Sequence, residues 1–332
     1  MAPVRIDSSA PTRIDLAGGT CDIWPLYLFH ERAQTISVAV SLRAHCTLTS
    51  RRDYRVVITS EDTGQQIEAD DPQSLGTDRM PLAARLVRHF GARGVEVRTY
   101  AASPLGSGLA GSSAMNVALI GALAAWMGRP VSDQEVLTIA VNAETQALRR
   151  PSGMQDVRPA FYGGVAAVEM GLAGVHREAL SVDLGELERR LLLAYLGPSH
   201  HGLDQWDVVT RRVSGDGLVA ETLNDLCRAA VALREALEQH AWPAAGAAIA
   251  AEWQARKRLA PTVTTLAIDF LLERARFAGA LAGKACGAGG GGCVVCLIDP
   301  DRRTEVSAAL TSGGASLVPF TIEREGLTVH RR

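Results

Sequence analysis

One stretch of this 332-residue chain, SPLGSGLAGSSAMNVALIGAL (residues 103–123), constrains the fold more than any other. Three glycines and four serines fall within residues 103–113, and an apolar run of helix formers comes directly after. Glycine leaves the unfolded backbone free and so lowers stability, which means a cluster of it needs a reason. The preceding segment, GVEVRTYAAS, alternates like a β-strand. The loop therefore joins a strand directly to a helix, which argues against a flexible linker. A tight turn or a loop shaped to hold an anion remains. Glycine loops at a helix N-terminus present backbone N–H groups and the positive end of the helix dipole. Ser112 and Ser113 would add hydroxyls suited to a metal ion that accompanies phosphates. The Walker pattern is absent, since no lysine lies nearby.

The next helix begins at Ser132, with Glu135 three residues on as a capping-box partner. Within it, Glu144 has Ala140 and Val141 one turn before and Ala147 and Leu148 one turn after. A carboxylate on an apolar face is costly unless paired or bound to a metal. Arg149 or Arg150 would serve as a partner if Glu144 lies at the edge of that face. In PSGMQDVRP, Asp156 sits in an expected loop bounded by prolines, either as a positioned functional group or as a turn former.

Composition narrows the field. With 47% hydrophobic and 21% charged residues the chain can bury a large core, and a net charge of −2 argues against broad nucleic-acid binding. Lys257 and Lys284 are its only lysines among 34 basic residues, a bias of the kind that codon usage produces. Residues 1–10 carry no apolar run of the signal-peptide type, and no segment is long and apolar enough for a membrane span, so a cytoplasmic location is expected. Six cysteines are too sparse for a disulfide scaffold. Cys293 and Cys296 form a C-x-x-C inside the strand-like CVVCLI, which reads as small residues in a buried strand. His200 and His201 are adjacent, a spacing that does not share a helix face, and no zinc site is expected. One of His200, Asp204 and Trp206 is a candidate for an acceptor pocket, with a core position for the tryptophan the plainer alternative.

Strands are expected at 44–50, 54–62, 94–103, 163–171, within 188–198, at 293–299 and near Leu327. Helices are expected at 80–91, 114–128, from Ser132, at 218–240, 243–259 and 263–282, and near 302–311. Glycines cluster between 172 and 188, placing a boundary there and two domains at 1–180 and 181–332.

Three motifs in order then carry a resemblance across nearly the whole chain. APTRIDLAGGTCD (residues 10–22), PLGSGLAGSSA (104–114) and KACGAGGGGCVV (284–295) resemble the three motifs of the GHMP kinase superfamily, whose second reads P-x-x-x-G-L-G-S-S-A. RIDLAGGTCD and PSGMQD most resemble the branch of sugar kinases acting on D-glycero-D-manno-heptose 7-phosphate, and LGPSHHGLDQWDVV resembles the opening of its second domain. Departures are Thr20-Cys21 where Gly-Thr is usual, Met154 where lysine is common, and Ala110-Gly111 in place of Gly-Ser.

The resemblance implies a two-domain α+β fold. A ribosomal-protein-like α/β domain with a left-handed type of crossover would pack on a ferredoxin-like domain, with the active site in the cleft between them. It implies ATP and Mg²⁺, the phosphates lying over Pro104, Gly106, Ser107, Gly108, Leu109, Ala110, Gly111, Ser112 and Ser113. The metal would touch Ser112 or Ser113 and Glu144, and Asp156 with Arg13 would be catalytic. Gly18, Gly19, Thr20 and Asp22, with Gly287, Gly289 and Gly290, would bind the acceptor. The implied partner is a small-molecule sugar or sugar phosphate phosphorylated on its anomeric hydroxyl. A fucose-like sugar, a mevalonate-type alcohol, or a non-catalytic ligand sensor are the alternatives.

Overall fold

The computed structural model describes residues 4–199 and 202–332, so His200 and His201 lie outside the described residues. The first strand sets the layering of the molecule. In β1 (Arg5–Ala17) burial alternates at first, then becomes continuous from Ala10 onward. A strand that alternates has one solvated face, whereas one buried on both faces lies between two layers. The partner strand β2 (Gln34–Ser50) mirrors it, fully buried from Gln34 to Val40 and mixed thereafter. Both strands thus run out of one layer and into the junction with a second.

The chain continues through β3 (Val56–Ser60), β4 (Gln65–Ala69), α1 (Pro81–Phe90), β5 (Val95–Ala101), α2 (Gly111–Trp126), α3 (Asp133–Leu148), α4 (Met154–Tyr162), β6 (Val165–Gly171) and β7 (Gly174–Ala179). These strands form a sheet in the order β12-β1-β2-β5-β3-β4, with β6 bridging β2 and β7, where β12 is Thr328–Arg331 near the end of the chain. Only β3 and β5 run parallel, joined by the crossover through β4 and α1. Helices α1 to α4 cover one face of this sheet with Leu86, Val87, Val117, Leu119, Leu137 and Val157 against Ile6, Leu48, Ile58 and Val97. Helix α2 is buried around nearly its whole circumference, as its unbroken apolar sequence requires.

The second unit comprises α5 (Leu184–Arg190), β8 (Leu191–Tyr195), α6 (Gln205–Val213), α7 (Gly217–Glu238), α8 (Trp242–Lys257), α9 (Leu266–Phe277), β9 (Ala280–Ala285), β10 (Cys293–Ile298), α10 (Arg303–Ser312) and β11 (Ser316–Leu317). Its four strands are antiparallel in the order β11-β8-β10-β9, the ferredoxin-like arrangement. Alternate residues of β10 enter two different cores, Val294 and Cys296 on one side, Cys293 and Val295 on the other. Cys293 and Cys296 therefore face opposite ways, and CVVCLI is a buried strand. The core containing Val295 also holds Ile14, Leu16, Ile36 and Val38 of the first sheet, so the two sheets share one apolar interior.

Several expected elements need correction. The helix expected at 263–282 ends at Phe277, because β9 comes next and pairs with β10. The strand expected within 188–198 is shorter and is preceded by α5, whose first turn is capped by Asp183. Asp156 lies in the first turn of α4 rather than in a loop. Among the described residues no helix is long and apolar enough to cross a membrane.

Gly18 closes β1 with φ +81°, and a Cβ there would sit 2.0 Å from the Gln34 carbonyl oxygen. Left-handed backbone costs an L-residue about 1–2 kcal/mol before any clash is counted. Gly18→Ala is expected to lose at least about 3 kcal/mol, read as a lowered urea midpoint. An unchanged midpoint would show that β1 and β2 can separate here without loss.

Candidate active site

The phosphate-loop candidate leaves β5 and reaches α2 through residues 102–110. Its carbonyls are used for anchoring. That of Gly106 accepts from the Ser199 amide at 3.0 Å, that of Ser107 from the Cys293 amide at 2.8 Å, and that of Leu109 from the Arg13 amide at 3.0 Å. The Gly108 carbonyl accepts from Arg13 Nη1 at 2.7 Å. By contrast, the amides of Gly108 to Ser113 donate to no acceptor among the described residues. Helix α2 has no side-chain cap, and Ala110 before it holds a left-handed φ of 60°. A helix start whose first amides are unpaired has the donors that an anion requires.

Glu144 emerges from α3 beneath this loop, only 4% exposed. Its carboxylate accepts from Ser112 Oγ at 2.6 Å, from Ser113 Oγ at 2.8 and 2.9 Å, and from Ser152 Oγ at 3.0 Å. Neither Arg149 nor Arg150 pairs with it. Burial and then the nearby Asp156 push its pKa up, against the three hydroxyls. A buried carboxylate ringed by hydroxyls and lacking a counter-cation has the hard oxygen donors that suit Mg²⁺.

Asp156 is held by Arg13 of β1. Nε and Nη2 both donate to Oδ1, at 2.9 and 2.6 Å, which leaves Oδ2 without a partner among the described residues. The helix that carries Asp156 starts without a side-chain cap of its own, and Asp22 supplies one from outside. Its Oδ2 accepts from the Gln155 amide at 2.9 Å. Only a glycine permits this, since a Cβ on Gly153 would lie 1.8 Å from Asp22 Oδ2. The local sequence gives no hint of that cap, which is why Asp156 reads as a loop residue there.

These groups open on one cleft of about 700 Å³. It is lined by Arg13, Thr20, Asp22, Pro104, Gly106, Ser107, Gly108, Ala110, Gly111, Ser112, Glu144, Asp156, Gly287 and Gly289. Gly18, Gly19, Leu109, Ser113 and Gly290 are not in its wall. Leu109 is buried beneath the loop and the Ser113 hydroxyl is spent on Glu144. Much of the close approach at the third glycine motif is to the protein itself. A Cβ on Gly287 would lie 2.8 Å from the Gly108 carbonyl, so the second and third motifs touch backbone to backbone. Asp204 caps α6, and Trp206 is half exposed with its indole N–H on the Arg149 carbonyl, rather than in the core.

Sequence reasoning missed four charged residues below the cleft. Asp15, Glu252, Arg256 and Lys284 are all essentially buried. Lys284 Nζ donates to Asp15 Oδ2 and to Glu252 Oε1, each at 3.0 Å, and Arg256 binds the same Glu252 oxygen at 2.7 Å. Available signals were a lone lysine opening the third motif of an arginine-rich chain, and the i, i+4 spacing of Glu252 and Arg256.

Two family models match the sequence. One of the GHMP kinases N terminal domain covers residues 80–164, and one of the GHMP kinases C terminal covers residues 233–316. The chain belongs to the GHMP kinases. A D-glycero-alpha-D-manno-heptose 7-phosphate kinase of Campylobacter jejuni is 27% identical over 333 residues, covering 97% of this chain and 98% of its own. A solved D-glycero-D-manno-heptose 1-phosphate kinase from Bacteroides thetaiotaomicron superposes with a TM-score of 0.78 at 24% identity, covering 98% of both chains. Galactokinase of Lactococcus lactis, complexed with galactose, gives 0.80 at 19% identity, over 98% of this chain and 95% of its own. At these identities the two structures establish the shared fold, which is the GHMP kinase arrangement of two α/β units.

Asp22 provides a test of this electrostatic picture. Burial and then Asp156 raise its carboxyl to about 6, against the amide of Gln155. The folded state thus binds a proton that the unfolded chain releases near 3.8, so stability from this group is full below pH 4 and lost as pH rises through 6. Asp22→Asn keeps an acceptor for the Gln155 amide but removes the charge. Relative to wild type it is expected to gain about 1–3 kcal/mol at pH 7.5. That gain should shrink toward zero as the pH is lowered to 4. A gain independent of pH in urea titrations would refute the assignment.

Proposed function

We propose that this GHMP kinase transfers the γ-phosphoryl group of ATP to a hydroxyl of a sugar or sugar phosphate. The observation that carries the reading is the Arg13–Asp156 pair facing the free amides of the glycine loop across a single cleft. The ATP phosphates would lie on the amides of Gly108 to Ser113, and Met80, Leu82, Met115 and Leu119 offer the apolar wall that suits a base. Glu144 with Ser112, the one of the two serines in the cleft wall, would hold Mg²⁺, which when bound neutralises phosphate charge.

Asp156 Oδ2 would accept the proton of the acceptor hydroxyl as its oxygen bonds the γ-phosphorus and the bond to the bridging β,γ-oxygen breaks. Arg13 would hold Asp156 in place through Oδ1. It is permanently charged, so it orients and neutralises but takes no proton. Loose phosphoryl-transfer transition states reward such positioning and charge compensation over covalent help. The acceptor is proposed as D-glycero-D-manno-heptose 7-phosphate, at its anomeric hydroxyl. The full-length likeness to the Campylobacter jejuni enzyme supports that choice. Thr20, Asp22 and Arg256 supply the polar floor against which sugar hydroxyls would rest. Retention of Arg13, Glu144 and Asp156 in one cleft speaks against a sensor without catalysis.

ADP release with Mg-ATP, measured over heptose 7-phosphate, L-fucose, galactose and mevalonate, tests this directly. The heptose phosphate is expected to turn over fastest, and Asp156→Ala to slow it by about 10²–10⁴-fold. Equal turnover in both proteins would remove Asp156 from the chemistry, and a preference for mevalonate would overturn the acceptor. Glu144→Gln is expected to raise the Mg²⁺ concentration for half-maximal rate about tenfold or more, and an unchanged Mg²⁺ dependence would take Glu144 out of the metal site.

A further inference from the structure

Asp15 lies two residues after Arg13 on β1, so both side chains leave the same face of the strand. It is fully buried and is not part of the cleft wall, so no bound substrate reaches it. What it touches, however, reaches the cleft from both sides. Oδ1 accepts from the Gly287 amide at 2.8 Å, the first glycine of the third motif. The same oxygen lies 3.6 Å from Arg13 Nη1, the guanidinium that grips Asp156 and the Gly108 carbonyl. Oδ2 accepts from Lys284 Nζ at 3.0 Å.

We propose that Asp15 is a positioning residue for phosphoryl transfer, registering Arg13 and the third glycine loop on each other, with Lys284 as the cation that lets a carboxylate stay buried there. The proposal rests on the kinase reading of the cleft. Three further observations support it. The partners come from different parts of the chain, Arg13 from β1 and Lys284 and Gly287 from β9 and the loop after it, so one carboxylate spans the junction of the two units. The contact of Gly287 with Gly108 leaves no room for the third loop to slide without disturbing the phosphate loop. Finally, burial alone would push the Asp15 carboxyl up, but Lys284, Arg13 and Arg256 outweigh it and hold it below the ordinary range.

The charge balance sets the experiment. Asp15→Leu or Lys284→Met alone leaves an uncompensated charge in the interior, and each is expected to lower the melting temperature by about 5–10 °C. The double variant Asp15→Leu/Lys284→Met removes one charge of each sign together with the acceptor of the Gly287 amide, while Glu252 keeps Arg256. Its melting temperature should return to within a few degrees of wild type. Its kcat should nevertheless stay reduced, about 30–100-fold, with KM for ATP and acceptor changed less than about threefold. Amide exchange in the peptide containing Gly287 should be faster than in wild type. A double variant with both wild-type melting and wild-type kcat would reduce the pair to a structural role. Unchanged exchange at Gly287 would overturn the register itself, and needs no turnover to be read. A wild type inert toward every acceptor would sink the kinase reading alone.

Discussion

Three cations and three carboxylates close on one another where β1 meets α4, α8 and β9: Arg13, Arg256 and Lys284 with Asp15, Glu252 and Asp156. All but Asp156 are nearly or wholly buried. Desolvated charges are tolerable only when every member is paired and hydrogen-bonded, and removing one partner is far worse than removing a matched pair. The set therefore acts as a stoichiometric lock between the two units. It forms only when the strand, the two helices and the second sheet are in their places, and its one partly exposed member is the carboxylate that faces the cleft.

Three of the six non-glycine residues with positive φ among the described residues lie in or beside that same opening. Thr20, Ala110 and Arg149 all hold positive φ, at 79°, 60° and 54°, although none is glycine. Thr20 is β-branched, the least comfortable kind of residue in that conformation. Its hydroxyl faces Arg256 Nη1 at 3.4 Å, and Ala110 opens the helix whose amides are free. Strain of this sort persists where the surroundings over-determine the backbone, and it collects at functional sites. The loop's carbonyls are tied to β1, β10 and the segment after β8, while its amides from Gly108 onward keep no partner among the described residues.

How far the sequence revealed this depended on the range of the forces involved. Helix α2, its glycine loop and the Ser132 cap are local patterns, and they were legible as such. Glu144 announced itself as a carboxylate on an apolar face, though its serine partners did not. β1 does not read as a strand because Arg13 and Asp15 break its alternation, and they are admitted by distant charges, Asp156 for Arg13 at 143 residues and Arg256 and Lys284 for Asp15 at more than 200. Asp22 hid its role for the same reason, as it caps a helix 133 residues downstream. Gly19 and Gly287 read as room for substrate, yet the atoms that crowd them belong to Arg256 and Gly108.

The return of β12 to the edge of the first sheet has a kinetic consequence. Ser9 meets Thr328 across 319 residues, with the entire second unit threaded between them. The first sheet therefore cannot complete its hydrogen bonding during synthesis until the second unit has left the ribosome. Until then the outer edge of β1 is a row of open donors and acceptors, of the kind that recruits foreign strands. Closing so long a loop is slow. The early chain thus carries an unpaired edge by topology, however well each of its helices forms alone.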